Sequence, residues 1–137
     1  IKLRLDYKGE SQNKFFFGGK TSERVAEEIR EQKVALLRNV PFQGVTIHDI
    51  DMSIETYNMQ DDLSTEEIAY APVTIELKAD NIEDITRFIV RDEFRKVEIL
   101  EPQEIIMSKQ DLERLIFKIN EEMRAYRNSL EKKYINK

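Results

Sequence analysis

His48, Asp49, Asp51 and Glu55 form the one cluster in this chain whose residue types could hold a metal ion. On a strand, Asp49, Asp51 and Glu55 would share a face and His48 would point the other way. The chain has 1 histidine and 0 cysteines, so a zinc centre, built from several nitrogen or sulfur ligands, is not expected. A weak carboxylate site for a hard cation is the most these side chains could make, and a solvated strand face is the plainer expectation. Nucleophilic catalysis fares no better. A serine triad would depend wholly on His48, and no strand-turn-helix elbow surrounds any serine. The acid pairs Asp61-Asp62 and Glu66-Glu67 lie in polar loop sequence, where carboxylates are simply hydrated. The expectation is a chain with no catalytic residues, no metal and no cofactor.

Two further motifs could bind anions. Gly19-Lys20-Thr21 has the spelling that ends a phosphate-binding loop, but that loop needs a glycine where this chain has Lys14. Phe15, Phe16 and Phe17 would fill the space in which backbone N–H groups must wrap the phosphates, so a glycine turn before a helix is the better reading. Arg87, Arg91 and Arg95 recur every fourth residue, with Lys96 beside them. If one helix carried all three arginines, they would form a basic ridge for a small anionic ligand. Local pairing with Asp84, Asp92 or Glu93 is the competing expectation.

Composition narrows the class. With 137 residues, the chain has the size of one globular unit with a real core. Its 27 acidic against 22 basic residues give a net charge of −5, which opposes binding to a polyanion. The absence of cysteine fits a reducing, cytoplasmic setting, and no apolar run approaches the length of a membrane helix.

Periodicity then places the elements. Ile1, Leu3, Leu5 and Tyr7 alternate with Lys2, Arg4, Asp6 and Lys8, as in a half-buried strand. Gly9 to Asn13 reads as a turn, and Phe15-Phe16-Phe17 as resumed extended structure. A helix is predicted after Thr21 or Ser22, with Val25, Ala26, Ile29 and Leu36 or Leu37 on one stripe. From Val45 to Tyr57 the chain is predicted to be extended, with a one-residue phase change near His48-Asp49 that marks a bulge or bend. Asn58 to Glu67 reads as a polar loop, and Val73, Ile75 and Leu77 as a strand.

A helix capped by Asp80 or Asn81 follows, with Ile82, Ile85, Phe88 and Ile89 on its stripe. Val97 and Ile99 make the last strand, ended by Pro102, and they are expected to share one core with Ile75, Leu77, Ile85 and Phe88. Ser108 and Asp111 form a capping box for a final helix. Its apolar positions are Leu112, Leu115, Ile116, Ile119, Met123, Tyr126, Leu130 and Tyr134.

The order strand, helix, strand, strand, helix, strand predicts an α+β fold. Its expected form is a ferredoxin-like split βαβ sandwich, with helices on one face of an antiparallel sheet, plus a long C-terminal helix. The expected division is an α/β domain over 1–107 and an amphipathic helix over 108–137, packed on it or on a partner. Because the helical stripe outruns a small sheet, Met123, Tyr126, Leu130 and Tyr134 are expected to mediate a homodimer.

Asn81-Ile82-Glu83-Asp84-Ile85-Thr86-Arg87-Phe88-Ile89-Val90, then Val97-Glu98-Ile99-Leu100-Glu101-Pro102, then Glu122-Met123-Arg124-Ala125-Tyr126 carry a family resemblance. Over residues 73–126 the chain resembles the C-terminal extension of WYL-type bacterial transcription regulators. The resemblance implies a non-catalytic regulatory and oligomerisation domain that reaches DNA only through a module outside this chain. A start at Ile1 fits a piece of such a longer protein. The family's Trp-Tyr-Leu motif has no counterpart here, so no binding residues are carried over. The same element order also suits an ACT-like small-molecule sensor appended to a transporter or metabolic enzyme, or a structural assembly subunit.

Overall fold

The computed structural model describes residues 1–10, 21–60 and 66–135, with side chains as far as Lys133. Phe15 to Phe17, the Gly19-Lys20 motif, the Asp61-Asp62 pair and the side chain of Tyr134 lie outside the described residues. The elements run β1 (Lys2–Lys8), α1 (Ser22–Asn39), β2 (Val45–Asp51), β3 (Tyr57–Gln60), β4 (Glu67–Ala79), a 3-10 turn (Ile82–Ile85), α2 (Thr86–Ile89), β5 (Phe94–Glu98) and α3 (Lys109–Ile135). The fold is α+β, with one antiparallel five-stranded sheet and a long C-terminal helix.

β4 is the organising strand. Along one edge it pairs with β1, from Tyr7↔Ala71 to Leu3↔Ile75 and beyond. Along the other it takes two short strands in succession, β3 at its start (Tyr57↔Tyr70) and β2 at its end (Val45↔Ala79). β1 pairs in turn with β5, giving the order β2-β4-β1-β5.

Alternation decides which face is dry. Leu3, Leu5 and Tyr7 of β1 register with Ile75, Val73 and Ala71 of β4, and all six are buried. Val34 and Leu37 of α1, Ile85 of the 3-10 turn and Phe88 of α2 complete this core. Leu36 stays 51% exposed, so of the two candidate leucines only Leu37 lies on the packed stripe. Ala26 packs with Ala69 and Ala71 in a small satellite cluster.

α1 starts where a cap is available. Thr21 is extended, and its hydroxyl accepts from the Arg24 N–H at 3.2 Å. Ser22 ties this end to the sheet, donating to the Gly9 carbonyl at 2.8 Å and accepting from the Ala69 N–H at 2.8 Å. A side chain at Gly9 would run into the Ser22 carbonyl and Ala26, so close backbone approach requires glycine there.

The phase change in β2 is a bulge. Ile47 faces Leu77 and Asp49 faces Glu76, which leaves His48 as the extra residue. The extended segment does not run unbroken to Tyr57. Asp51 accepts the Ser53 N–H at 2.8 Å, which turns the chain out of the ladder, and the Ser53 hydroxyl together with this N–H holds the Asp51 carboxyl below the usual carboxylate range. α1 catches the loose segment: Arg30 donates to the carbonyls of Ile54 (3.1 Å) and Pro72 (3.2 Å), and Thr56 donates to Glu23 at 3.0 Å.

Three expectations need correction. The predicted loop from Asn58 begins as strand β3, because β4 reaches back to Glu67 and offers its edge to polar residues. The helix after Asn81 is a 3-10 turn followed by one α turn ending at Ile89. Val97 and Ile99 are 38% and 43% exposed rather than core, because β5 is the edge strand of the sheet and Ile99 lies beyond its end. Gly44 adopts φ +76°, and its carbonyl accepts from the Asp80 N–H at 2.8 Å. A side chain there would meet the Asp84 carboxylate.

Two outcomes check this core. Phe88→Ala should cost about 3–5 kcal/mol in denaturant melts, whereas Val97→Ala should cost less than about 1 kcal/mol. Burial, reinforced by nearby Glu93, pushes the Tyr7 phenol well above its ordinary value. A folded value above the unfolded one of about 10 means that the native state holds the proton more tightly. Its contribution is complete below about pH 10 and is lost as pH rises further, so the urea midpoint should fall there and fall less in Tyr7→Phe.

Candidate functional site

The side chains singled out for an anion site do not form one ridge, because α2 stops at Ile89 and the three arginines lie on different elements. Arg87 lies over the Phe42 ring at 5.5 Å and donates to the Gln43 carbonyl at 2.9 Å. Arg91 pairs with Glu93 at 3.0 Å and covers the Tyr126 ring at 5.1 Å. Arg95 donates to the carbonyls of Asp92 (2.7 Å) and Phe94 (2.9 Å) and faces the open side of the sheet. Lys96 follows it, exposed on β5. Among the described residues no three His, Asp or Glu side chains converge as a metal site would require, and Asp49 and Asp51 sit exposed opposite Glu76 and Thr74.

Sequence reasoning missed a polar cluster on the open sheet face. Asp6 alternates outward from β1, yet it is 2% exposed. Arg4 Nε lies 3.1 Å from Oδ1, Tyr57 donates to Oδ2 at 2.5 Å, and Arg95 Nε stands 3.7 Å away. Tyr57 stacks on Tyr70 with ring centres 5.5 Å apart and planes at 17°, and the Arg95 guanidinium covers Tyr70 at 5.5 Å. These contacts join β1, β3 and β5 through one carboxylate, with Tyr70 of β4 stacked beside it. Burial and the bond to Asp6 raise the Tyr57 phenol above its usual value, so it stays a donor. The cluster is a clamp across the sheet. Strict alternation in β1 was the one hint, since it set an acid between Arg4 and Lys8 on the open face.

The other feature is α3. Ser108 and Asp111 cap it reciprocally, the Ser108 N–H donating to the Asp111 carboxylate at 3.1 Å and the Asp111 N–H to Ser108 Oγ at 3.1 Å. Hydrogen bonds from the Ser108 N–H and then the Ser108 hydroxyl hold the Asp111 carboxyl below its ordinary range. One flank of the helix rests on the domain. Arg114 reaches Glu83 at 3.8 Å, Leu115 is half-buried, and the Tyr126 hydroxyl accepts from the Asp92 N–H at 3.4 Å. Burial raises the Tyr126 phenol. The neighbouring stripe has no cover: Leu112 is 49%, Ile116 60%, Ile119 37% and Met123 56% exposed. Leu130 continues it, half-buried. Of the predicted dimer residues, Met123 and Leu130 therefore lie on this stripe, and Tyr126 lies at its border with the domain.

Between α3 and the 3-10 turn runs a groove of about 670 Å³, lined by Glu83, Asp84, Arg87, Arg114, Phe117 and Lys118 among others. Its cations are engaged, Arg114 by Glu83 and Asp111, and Lys118 by Glu122 at 3.1 Å. Among the described residues no helix is long and apolar enough to cross a membrane. No family model, curated protein or solved structure matches this chain.

Tyr57→Phe removes one hydrogen bond to a buried carboxylate and should destabilise the fold by about 1.5–3 kcal/mol. Equilibrium urea unfolding measures this. A loss near zero would show that the clamp does not hold β3.

Proposed function

We propose that this chain is a non-catalytic regulatory and assembly domain of ferredoxin-like type, which associates with a second copy through α3. The carrying observation is the uncovered stripe of Leu112, Ile116, Ile119 and Met123 on a helix whose adjacent flank already rests on its own domain. Monomeric proteins rarely leave a continuous apolar row in water, and such rows mark interaction surfaces. The strand order β2-β4-β1-β5 with antiparallel neighbours supports the ferredoxin-like assignment. The resemblance to WYL-type regulators over 73–126 supports the regulatory role, with DNA contacted by another module and a cytoplasmic setting.

An ACT-like sensor of a small anion is the second reading, and the groove beside Arg87 supports it. It ranks lower because Arg114 and Lys118 already have carboxylate partners that an anion would have to displace.

Sedimentation at high micromolar concentration tests the leading reading. The unmodified chain should run as a dimer, and Ile116→Glu should shift it to monomer with an unchanged circular dichroism melt. A monomer at every concentration would overturn self-assembly.

A further inference from the structure

The two outer edges of the sheet differ. Beyond β4 the edge is irregular, because β2 bulges at His48 and the chain leaves the ladder before β3 begins. Bulges and breaks of this kind keep other strands away. The opposite edge is β5, and hydrogen-bond phase identifies which of its groups are free. Ile1 donates to the Leu77 carbonyl at 3.0 Å and accepts from the Leu77 N–H at 2.8 Å, and the Gly9 N–H donates to Ala69 at 2.8 Å. Odd-numbered residues of β1 therefore bond to β4. Even-numbered ones turn to β5, as does the Asp6 N–H, which donates to the Glu93 carbonyl at 2.8 Å. Lys2 and Arg4 thus exchange bonds with Glu98 and Lys96, their partners in register. Val97, between them, turns its N–H and C=O away from β1, and no other backbone group among the described residues meets them.

The side chains of β5 sort by face. Val97 lies opposite Leu3, hence on the core face, where it is 38% exposed. Lys96 and Glu98 lie opposite Arg4 and Lys2 on the open face, and neither has an ion-pair partner among the described residues. Lys96 therefore has a like charge on one side and an open edge on the other.

We infer that the β5 edges of two copies pair antiparallel about a two-fold axis at Val97, continuing one sheet from copy to copy. An axis running along the strand would make the edges parallel, but it would set the core face of one copy beside the open face of the other. An axis perpendicular to the sheet keeps core face beside core face and makes the strands antiparallel. Outward-pointing residues must then meet outward-pointing residues, so the axis passes at a residue and never between two. At Lys96 or at Glu98 it would set like charges directly opposite. At Val97 the two valines exchange both backbone bonds, and each Lys96 faces Glu98 of the other copy. A lysine on an edge strand ordinarily guards that edge; here the glutamate two residues on neutralises it across the axis.

This contact rests on the self-assembly read from α3 and names a second part of the same interface. α3 runs alongside β5: Asp111 and Arg114 line one cavity with Ile99, just past the end of β5, and Tyr126 accepts from Asp92, just before its start. An axis at the β5 edge thus brings a second copy up to the α3 side of the molecule.

Val97→Pro deletes the outward N–H and spares the bonds of Lys96 and Glu98 to β1. It should weaken dimerisation at least about tenfold in sedimentation equilibrium, with an unchanged circular dichroism melt. The chain contains 0 cysteines, so introduced thiols report pairing without a background. Val97→Cys should oxidise to a linked dimer, because Cα atoms of a hydrogen-bonded pair stand ~5.5 Å apart, within disulfide reach. Lys96→Cys mixed with Glu98→Cys should give the mixed dimer in preference to either self-linked one.

A sedimenting dimer that Val97→Pro leaves intact and Val97→Cys does not trap would overturn the β5 contact and leave assembly through α3 standing. Preferential self-linking of Lys96→Cys would overturn the register. A chain that stays monomeric and yields no trapped dimer would overturn the β5 contact and self-assembly together. Should Val97→Pro lower the melt, the cysteine variants decide between these outcomes.

Discussion

Hydrogen bonding along both edges of β4 holds this molecule together. The strand runs for 13 residues and carries every other strand except β5, which is attached through β1. Its inner residues Ala69, Ala71, Val73, Ile75 and Leu77 are all buried, and they change from small to large along the strand. Small residues let α1 approach closely at Ala26, and the larger ones fill the space under Phe88 and Ile85. A slip of one residue in β4 would send this whole series to the wet face and bring Tyr70, Thr74 and Glu76 inward.

The open face meets a different physical demand. A sheet with helices on one side leaves its other side to water, yet Asp6 sits there almost fully buried. It is tolerated because two guanidinium groups and a phenol fill its acceptor positions. The same contacts hold β3, a strand of only four residues whose ladder with β4 is short. The clamp thus replaces the hydrophobic cover that this face lacks.

α3 behaves differently from the rest. It lies on the 3-10 turn and α2 through one flank, with a salt bridge, a tyrosine hydroxyl and an arginine over an aromatic ring as the fasteners. Such contacts are individually weak at an exposed surface. The apolar stripe of Leu112, Ile116, Ile119 and Met123 remains 37–60% exposed on the single chain. Arg114 and Lys118 of α3 line the groove beside Arg87.

Local chemistry made much of this legible from the sequence. The alternation of β1 and of Val73 to Leu77, the Thr21 cap, the Ser108-Asp111 box and the slip at His48 all follow from periods and hydrogen-bonding groups within a few residues of one another. The apolar spacing of three and four along α3 was equally open to reading, since it depends only on sequence distance. What residue types could not reveal was decided by long-range pairing. β3 exists because β4 extends beneath it, α2 is short because the chain must turn back to reach the β1 edge, and Val97 is half-wet because β5 ended at the rim of the sheet. The arginine row likewise parted because each guanidinium found a different partner: Gln43, Glu93 and the Asp6 cluster lie far apart in sequence or on different strands. Periodicity specifies which side of an element is apolar. Only the assembled sheet determines whether anything is there to cover it.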